Sequence, residues 1–292
     1  MIREIEAKTL LIPIKNPMGW FGVKYNMNIY RGCEHRCIYC DSRSECYQIE
    51  DFDGEVLVKA NAIELLEKEL ARKRIRGTVG TGAMSDPYTY TEKRYGLTGK
   101  ALGVIARHRF PAHITTKSDL VLKDLEVLRE IAHTTRASVG FTLTTTDDAL
   151  AAQVEPGAPR PSARLEAMAR LAEAGVLTGT LVMPILPFIE DSPENITAIV
   201  HRTAEAGGKF ITPWFGMSLR AGQREYFYEQ LDRRFPGLRS RYEKCYGERY
   251  SCPTPNERAL WPVFHAACEK YGLATDMSLF APPKMPEQLK LF

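Results

Sequence analysis

Polar and apolar positions along this chain follow two alternating periods. Short β-branched and apolar runs at 25–31, 77–82, 112–117, 137–143, 178–184 and 209–215 predict strands. Between them, apolar residues recur every three or four positions, as one face of a helix requires. Leu65, Leu66 and Leu70 mark a helix over 62–73; Leu122, Leu125, Leu128 and Ile131 mark one over 119–132; Leu165, Met168 and Leu171 mark one over 161–174. The boundary signals agree with this reading. Ser118 is placed to cap one helix, and Ser192-Pro193-Glu194 reads as cap, first-turn proline and first-turn acid of another. Gly175 and Gly207 fall where helix C-termini are expected.

Six strand-then-helix repeats imply parallel strands joined by right-handed crossovers. A complete or partial barrel satisfies that pattern, and so does an open doubly wound sheet. Both put chemistry at the C-terminal ends of the strands. The organisation read from the chain is an N-terminal extension at 1–24, the repeating α/β unit at 25–215, a helical region at 216–280 and a proline-rich tail at 281–292. Aromatic, charged helical segments at 223–235 and 256–271 fill the third of these.

Composition adds little beyond an ordinary globular protein. With 39 basic and 36 acidic residues, the net charge of +3 neither demands nor excludes a nucleic-acid partner. No apolar run reaches the length of a membrane span, and the patch at 10–14 is too short and too charged in its flanks for a signal peptide. A cytoplasmic location is therefore expected. Seven cysteines, an odd number, do not form a disulfide framework and read as free thiols or metal ligands. Cys245, Cys252 and Cys268 match no second metal motif and are expected to be free.

The strongest chemical signal is Cys33-Glu34-His35-Arg36-Cys37-Ile38-Tyr39-Cys40, which follows the first strand of the repeats. Three thiolates within eight residues can converge on one centre from a loop. Structural zinc would need a fourth ligand, such as His35 or Cys46, and lacks a second paired knuckle. Simple buried cysteines do not explain a spacing that is no core period. An iron–sulfur cluster held by three residues leaves one iron open for something else to bind.

The C-x3-C-x2-C spacing, with Tyr39 before the last cysteine on the loop after the first strand of a βα series, resembles the signature of radical S-adenosylmethionine (SAM) enzymes. Further blocks extend the resemblance to their spore photoproduct lyase-like subgroup. Asn28-Ile29-Tyr30-Arg31-Gly32-Cys33-Glu34-His35 is similar to its N-P-Y-R-G-C-x-H opening. Ser85-Asp86-Pro87-Tyr88, Thr116-Lys117-Ser118, Glu155-Pro156-Gly157-Ala158-Pro159 and Pro184-Ile185-Leu186-Pro187 also match, so the likeness runs from about residue 20 to 215.

That resemblance implies a partial (β/α)6 barrel carrying a [4Fe–4S] cluster on Cys33, Cys37 and Cys40, with SAM on the open iron. It implies reductive cleavage of SAM to a 5′-deoxyadenosyl radical that abstracts hydrogen from a substrate, and an electron donor such as flavodoxin or ferredoxin. Tyr39 falls where relatives place an aromatic near the SAM adenine. The strand end at Gly80 and Gly82 corresponds to the segment that receives the SAM amino group. Lys117 is placed to pair with the SAM carboxylate, Ser85 to donate a hydrogen bond, and Ser138 matches a serine of the same cofactor pocket. Asp86 is expected to orient its loop, and Glu155 and Arg164 to form an ion pair. One departure bears on the reaction. Photoproduct lyases return a hydrogen atom from a cysteine two positions before the Ser-Asp pair, and this chain has Ala83 there.

Two features bear on the substrate. The basic segment 71–76 can hold phosphates, although a charged helix end explains it equally. The terminus Gln288-Leu289-Lys290-Leu291-Phe292 resembles the peptide by which bacterial replication and repair proteins dock on the DNA sliding clamp, an apolar-anchor mode of binding. Nucleic acid is thus the expected substrate class. Radical modification of a peptide or small metabolite, and a non-catalytic zinc or iron–sulfur module, are the competing readings.

Overall fold

A computed structural model describes residues 1–16, 22–49, 51–52 and 54–276. Two strands, β1 (Ile2–Ile5) and β2 (Leu11–Pro13), precede the first expected one, β3 (Val23–Met27). The short β4 (Tyr30–Arg31) leads into the cysteine loop, and β5 (Val56–Lys59) follows it. A small sheet forms in the order β1-β5-β4. The repeats continue through α1 (Ala62–Ala71), β6 (Thr78–Thr81), α2 (Tyr90–Tyr95), α3 (Leu97–Arg107), β7 (Ala112–Thr116), α4 (Leu125–Thr134) and β8 (Ala137–Thr142). Next come α5 (Asp148–Val154), α6 (Pro161–Glu173), β9 (Leu177–Val182), α7 (Pro193–Glu205) and β10 (Phe210–Pro213).

All six expected strands form, and they lie side by side in parallel in one sheet, in the order β10-β9-β8-β7-β6-β3-β2. β2 adds an antiparallel edge on β3, and β2 and β10 are not paired with each other, so the sheet stays open. Neighbouring helices pack on one another, α1 on α3, α3 on α4 and α6 on α7. Helices on one side and an open concave side give a partial barrel rather than a doubly wound sheet. The buried core lies between strands and helices, with Ile114, Val139, Leu128, Met168 and Val200 all near complete burial.

Local chemistry accounts for the helix ends. The Ser192 hydroxyl accepts from the Asn195 N–H at 3.1 Å, with Pro193 in the first turn of α7. The segment expected as one helix over 119–132 is divided. It opens as a 3-10 turn, Asp119–Asp124, capped by the Ser118 hydroxyl, and becomes α4 only at Leu125. After β10 the chain forms β11 (Gly216–Ser218), α8 (Gln223–Arg234), α9 (Leu238–Tyr246), β12 (Ser251–Pro253) and α10 (Glu257–Tyr271). β11 and β12 make an antiparallel ribbon. α10 packs on α7, extending the helical layer. The tail with its clamp-like peptide lies outside the described residues. Among those described, no helix is long and apolar enough to cross a membrane.

Candidate active site

The cysteine loop sits on the C-terminal side of the sheet and is tied down at several points. The Gly32 N–H donates to Ser85 Oγ at 3.1 Å. Ile38 N–H donates to the Val154 carbonyl at 2.9 Å, and Gly157 N–H to the His35 carbonyl at 2.9 Å. A methyl group at Gly157 would come within 2.3 Å of the Glu34 carbonyl oxygen, so only glycine lets the 154–159 segment lie this close to the loop. Gln223 of α8 donates to the Tyr39 carbonyl at 3.1 Å. The Tyr39 hydroxyl donates to Glu155, whose other oxygen meets Arg164 at 2.5 Å. Arg164 also donates to the carbonyls of Pro159 and Thr142. The expected ion pair is thus present, and it braces the aromatic residue between two cysteines.

All three cysteines line one cleft of about 300 Å³. Tyr39, Gly80, Gly82, Ala83, Asp86 and Lys117 line it too. Gly82 adopts φ +96°, and a methyl there would stand 1.9 Å from the Thr115 carbonyl oxygen. The strand end is therefore bare backbone, open to close approach by a ligand. Lys117 is half-buried, its ammonium 5.7 Å from the Tyr39 ring centre. Asp86 holds the strand ends in place. It accepts from Thr116 Oγ1 at 2.7 Å, from Lys117 N–H at 2.7 Å and from Tyr88 N–H at 2.9 Å. It therefore orients the loop, as expected.

Two of the expected site residues stand outside the cleft wall. Ser85 is buried and spends its oxygen on the Gly32 N–H. Ser138 is fully buried, 2.8 Å from His113 Nδ1. His113 does line the cleft, and sequence reasoning did not single it out. Its signal was strand parity, since residues 113, 115 and 117 share one face of β7 and its extension.

Burial decides the protonation states. It pushes the Cys33 thiol up to about 12, helped by the nearby Asp86 charge, and raises Cys37 and Cys40 against the opposing pull of Lys117. The metal-free thiols are therefore neutral, and binding iron would take their protons. Burial, with a smaller push from Arg136, drives His113 down to about 3, so it is an uncharged imidazole. Burial also lowers His35, whose Nδ1 is 3.4 Å from Asp86. Burial works against the charge on Lys117, but Cys37, Glu155 and Asp86 outweigh it and raise the group overall. Among the described residues, the cleft thus has one fixed cation, Lys117, beside three soft sulfur donors.

The donor set fits an iron–sulfur cluster better than a single ion. Among the described residues, no three His, Cys, Asp or Glu side chains converge on one point as a lone metal requires. A cluster places each sulfur on its own iron, so its ligands need not converge. Bare strand ends and a lysine next to the sulfurs suit an amino-acid head group.

Comparison with known proteins agrees. The radical SAM superfamily model matches residues 27–199. The chain is 34% identical over 300 aligned positions to an uncharacterized protein of Mycobacterium tuberculosis, across 99% of this chain and 87% of that one. It is 33% identical over 192 positions to an uncharacterized protein of Methanocaldococcus jannaschii, across 65% of this chain and 70% of that one. Its fold resembles spore photoproduct lyase solved with a dinucleoside spore photoproduct, with a TM-score of 0.72 at 16% identity, over 94% of this chain and 81% of that one. With the superfamily match spanning more than half of its length, and the cysteine loop at the C-terminal side of an open parallel barrel, this chain belongs to the radical SAM superfamily, whose cofactors are a [4Fe–4S] cluster and SAM.

Proposed function

We propose that Cys33, Cys37 and Cys40 each hold one iron of the cluster and leave the fourth iron to SAM. What the two cofactors supply is reductive cleavage of SAM to a 5′-deoxyadenosyl radical, which takes a hydrogen atom from the substrate. The chain's own residues position and shield. Lys117 faces the SAM carboxylate, the backbone from Gly80 to Gly82 receives the amino group, and Tyr39 forms the wall beside the adenosine. Ser85 and Ser138 act one layer back, Ser85 by fixing Gly32 and Ser138 by orienting His113. A one-electron donor such as flavodoxin or ferredoxin, in a reducing cytoplasm, is the proposed reductant.

The observation that carries this reading is the meeting of three cysteines, one lysine and a strand end flanked by two glycines in a single cleft. Nucleic acid is the proposed substrate class. Two observations support it: the fold-level likeness to a lyase solved with a dinucleoside, and the exposed Arg72, Arg74 and Arg76. Repair of spore photoproduct itself is a poor fit, because Ala83 lines the cleft where a hydrogen-donating thiol would be needed.

The test is anaerobic reconstitution followed by reduction with SAM. The proposal expects about four irons per chain and formation of 5′-deoxyadenosine, with both lost in Cys37→Ala. A single tightly held zinc, with no affinity for SAM, would overturn it in favour of a metal-binding module.

A further inference from the structure

Among the described residues, the indole at the rim of the cleft has no partner. Trp214 follows β10 and is held on both sides. Its N–H donates to the Val182 carbonyl at 2.9 Å, and its own carbonyl accepts from Gly216 N–H at 3.0 Å. The next residue, Phe215, turns into the core against Trp261, with ring centres 4.9 Å apart, and Phe264, at 5.7 Å. Trp214 instead lines the cleft beside Met183 and Met217 and is 39% exposed. Among the described residues, no ring or cation stacks on it and its indole N–H has no acceptor. A large flat apolar surface fixed by its backbone and left bare at a cleft mouth is a recognition surface rather than a packing element.

The same ribbon carries a second exposed ring. β11, which contributes Met217 and Ser218 to the cleft, starts just after Trp214 and spans about 10 Å. At its far end the Leu219 N–H donates to the Tyr250 carbonyl at 2.9 Å. Tyr250 is 51% exposed, and the Arg220 guanidinium lies 4.6 Å from its ring centre and donates to its hydroxyl at 2.7 Å. Arg220 is anchored in turn by Asp41, at 3.2 Å. Exposed rings at both ends of one short ribbon, with a guanidinium against the second, are the elements by which proteins hold single-stranded nucleic acid without reading its sequence. A peptide offering one aromatic side chain would use one ring and leave the other bare.

We propose that the β11–β12 ribbon is a stacking platform for single-stranded nucleic acid, with Trp214 holding one base at the mouth of the cleft and Tyr250 with Arg220 holding the strand beyond it. This deepens the reading of the cleft as a radical SAM site acting on nucleic acid and rests on it. The platform takes an unpaired strand, because its rings must reach the faces of the bases.

The experiment measures fluorescence anisotropy of a fluorescein-labelled oligodeoxythymidylate with the reconstituted protein. Trp214→Ala should weaken binding by about fivefold to about 150-fold, the range of one base–aromatic stack. Trp214→Phe, which keeps a flat ring, should stay within about threefold of wild type, and this also guards against a folding defect in the alanine variant. Tyr90→Ala removes an exposed ring away from this cleft and should not change affinity. Equal affinity of Trp214→Ala and wild type, failure of wild type to bind the oligonucleotide, or displacement only by a tryptophan-containing peptide would overturn the proposal. Formation of 5′-deoxyadenosine by wild type is read separately. Its presence without oligonucleotide binding removes the stacking platform and leaves the radical SAM reading standing.

Discussion

Replacing Glu155 with glutamine keeps the shape of the side chain and removes its charge. The Arg164 guanidinium is then buried without a counter-ion, and the Tyr39 hydroxyl meets an amide in place of a carboxylate. Both members of the pair are 1% exposed and 2.5 Å apart, so solvent does not soften the loss. Breaking such a pair from one side costs about 3–5 kcal/mol, a large share of the ~5–15 kcal/mol that keeps a domain folded. With a urea slope of about 3 kcal/mol/M, the unfolding midpoint falls by roughly 1–1.7 M. Arg164→Met in the same chain removes the orphaned charge. The double variant should therefore be more stable than the two single losses add up to, by about 1 kcal/mol or more. Acid provides a second check. Burial tends to raise the Glu155 carboxyl, but Arg164, Lys117 and the Tyr39 hydroxyl together hold it below its ordinary value. Its contribution is present above the ordinary carboxylate pKa and is lost as pH falls through the lower folded value, so the gap between wild type and variant narrows below about pH 4. Urea unfolding of the metal-free protein at several pH values measures this, alongside the rate at which a ferrous chelator strips iron from the loaded protein. A midpoint unchanged within about 0.3 M, or single losses that simply add, would refute the idea that this pair braces the cysteine loop.

Gly82→Ala puts a methyl 1.9 Å from the Thr115 carbonyl oxygen, so the strand end must shift; calorimetry should show at least about tenfold weaker SAM binding, and unchanged affinity would reject the close-approach role. Lys117→Ala should weaken SAM by about tenfold to 150-fold, the range for a hydrogen bond to a charged group, with iron content retained; equal affinity would remove the lysine from the carboxylate site. Burial pushes the Glu190 carboxyl up to about 8, so its stabilising effect is complete below the ordinary carboxylate pKa and is lost as pH climbs through about 8. Thermal midpoints of wild type should therefore fall between about pH 5 and about pH 9 relative to Glu190→Gln, and parallel profiles would contradict this. If the terminus docks on the sliding clamp, deleting residues 288–292 should abolish retention on the immobilised clamp; failure of the intact chain to bind would end the clamp reading.

The parallel strands were legible because each is a short apolar run bounded by turn residues, and the cysteine loop because its spacing has no structural use. Other parts were hidden for definite reasons. α3 contains Gly99 and Gly103, which mask its helical period. Gly99 is small because the Asp124 carboxylate comes within 2.4 Å of where a methyl would sit, a tertiary constraint with no local mark. β1 sets Arg3 and Glu4 together between two isoleucines over only four residues, with no alternation to stand out. Lys117 could be chosen by charge, whereas His113, two turns of the pleat earlier on the same face, needed the strand register. Ser85 and Ser138 have the right residue type in the right blocks, yet their hydroxyls are turned toward Gly32 and His113. Sequence places a side chain on a strand but does not choose its hydrogen-bond partner.

The bond from Gln223 to Tyr39 joins positions 184 residues apart, and this bears on biosynthesis. At a ribosomal pace of ~5–20 residues per second, the cysteines emerge roughly 10–40 s before the helix that latches their loop. Through that interval the thiols are reachable by assembly factors delivering iron and sulfide, and equally by oxidants. Completion of the C-terminal helices then fixes the loop from behind while its three thiols still face the cleft, so order comes to the site last although its ligands are made first.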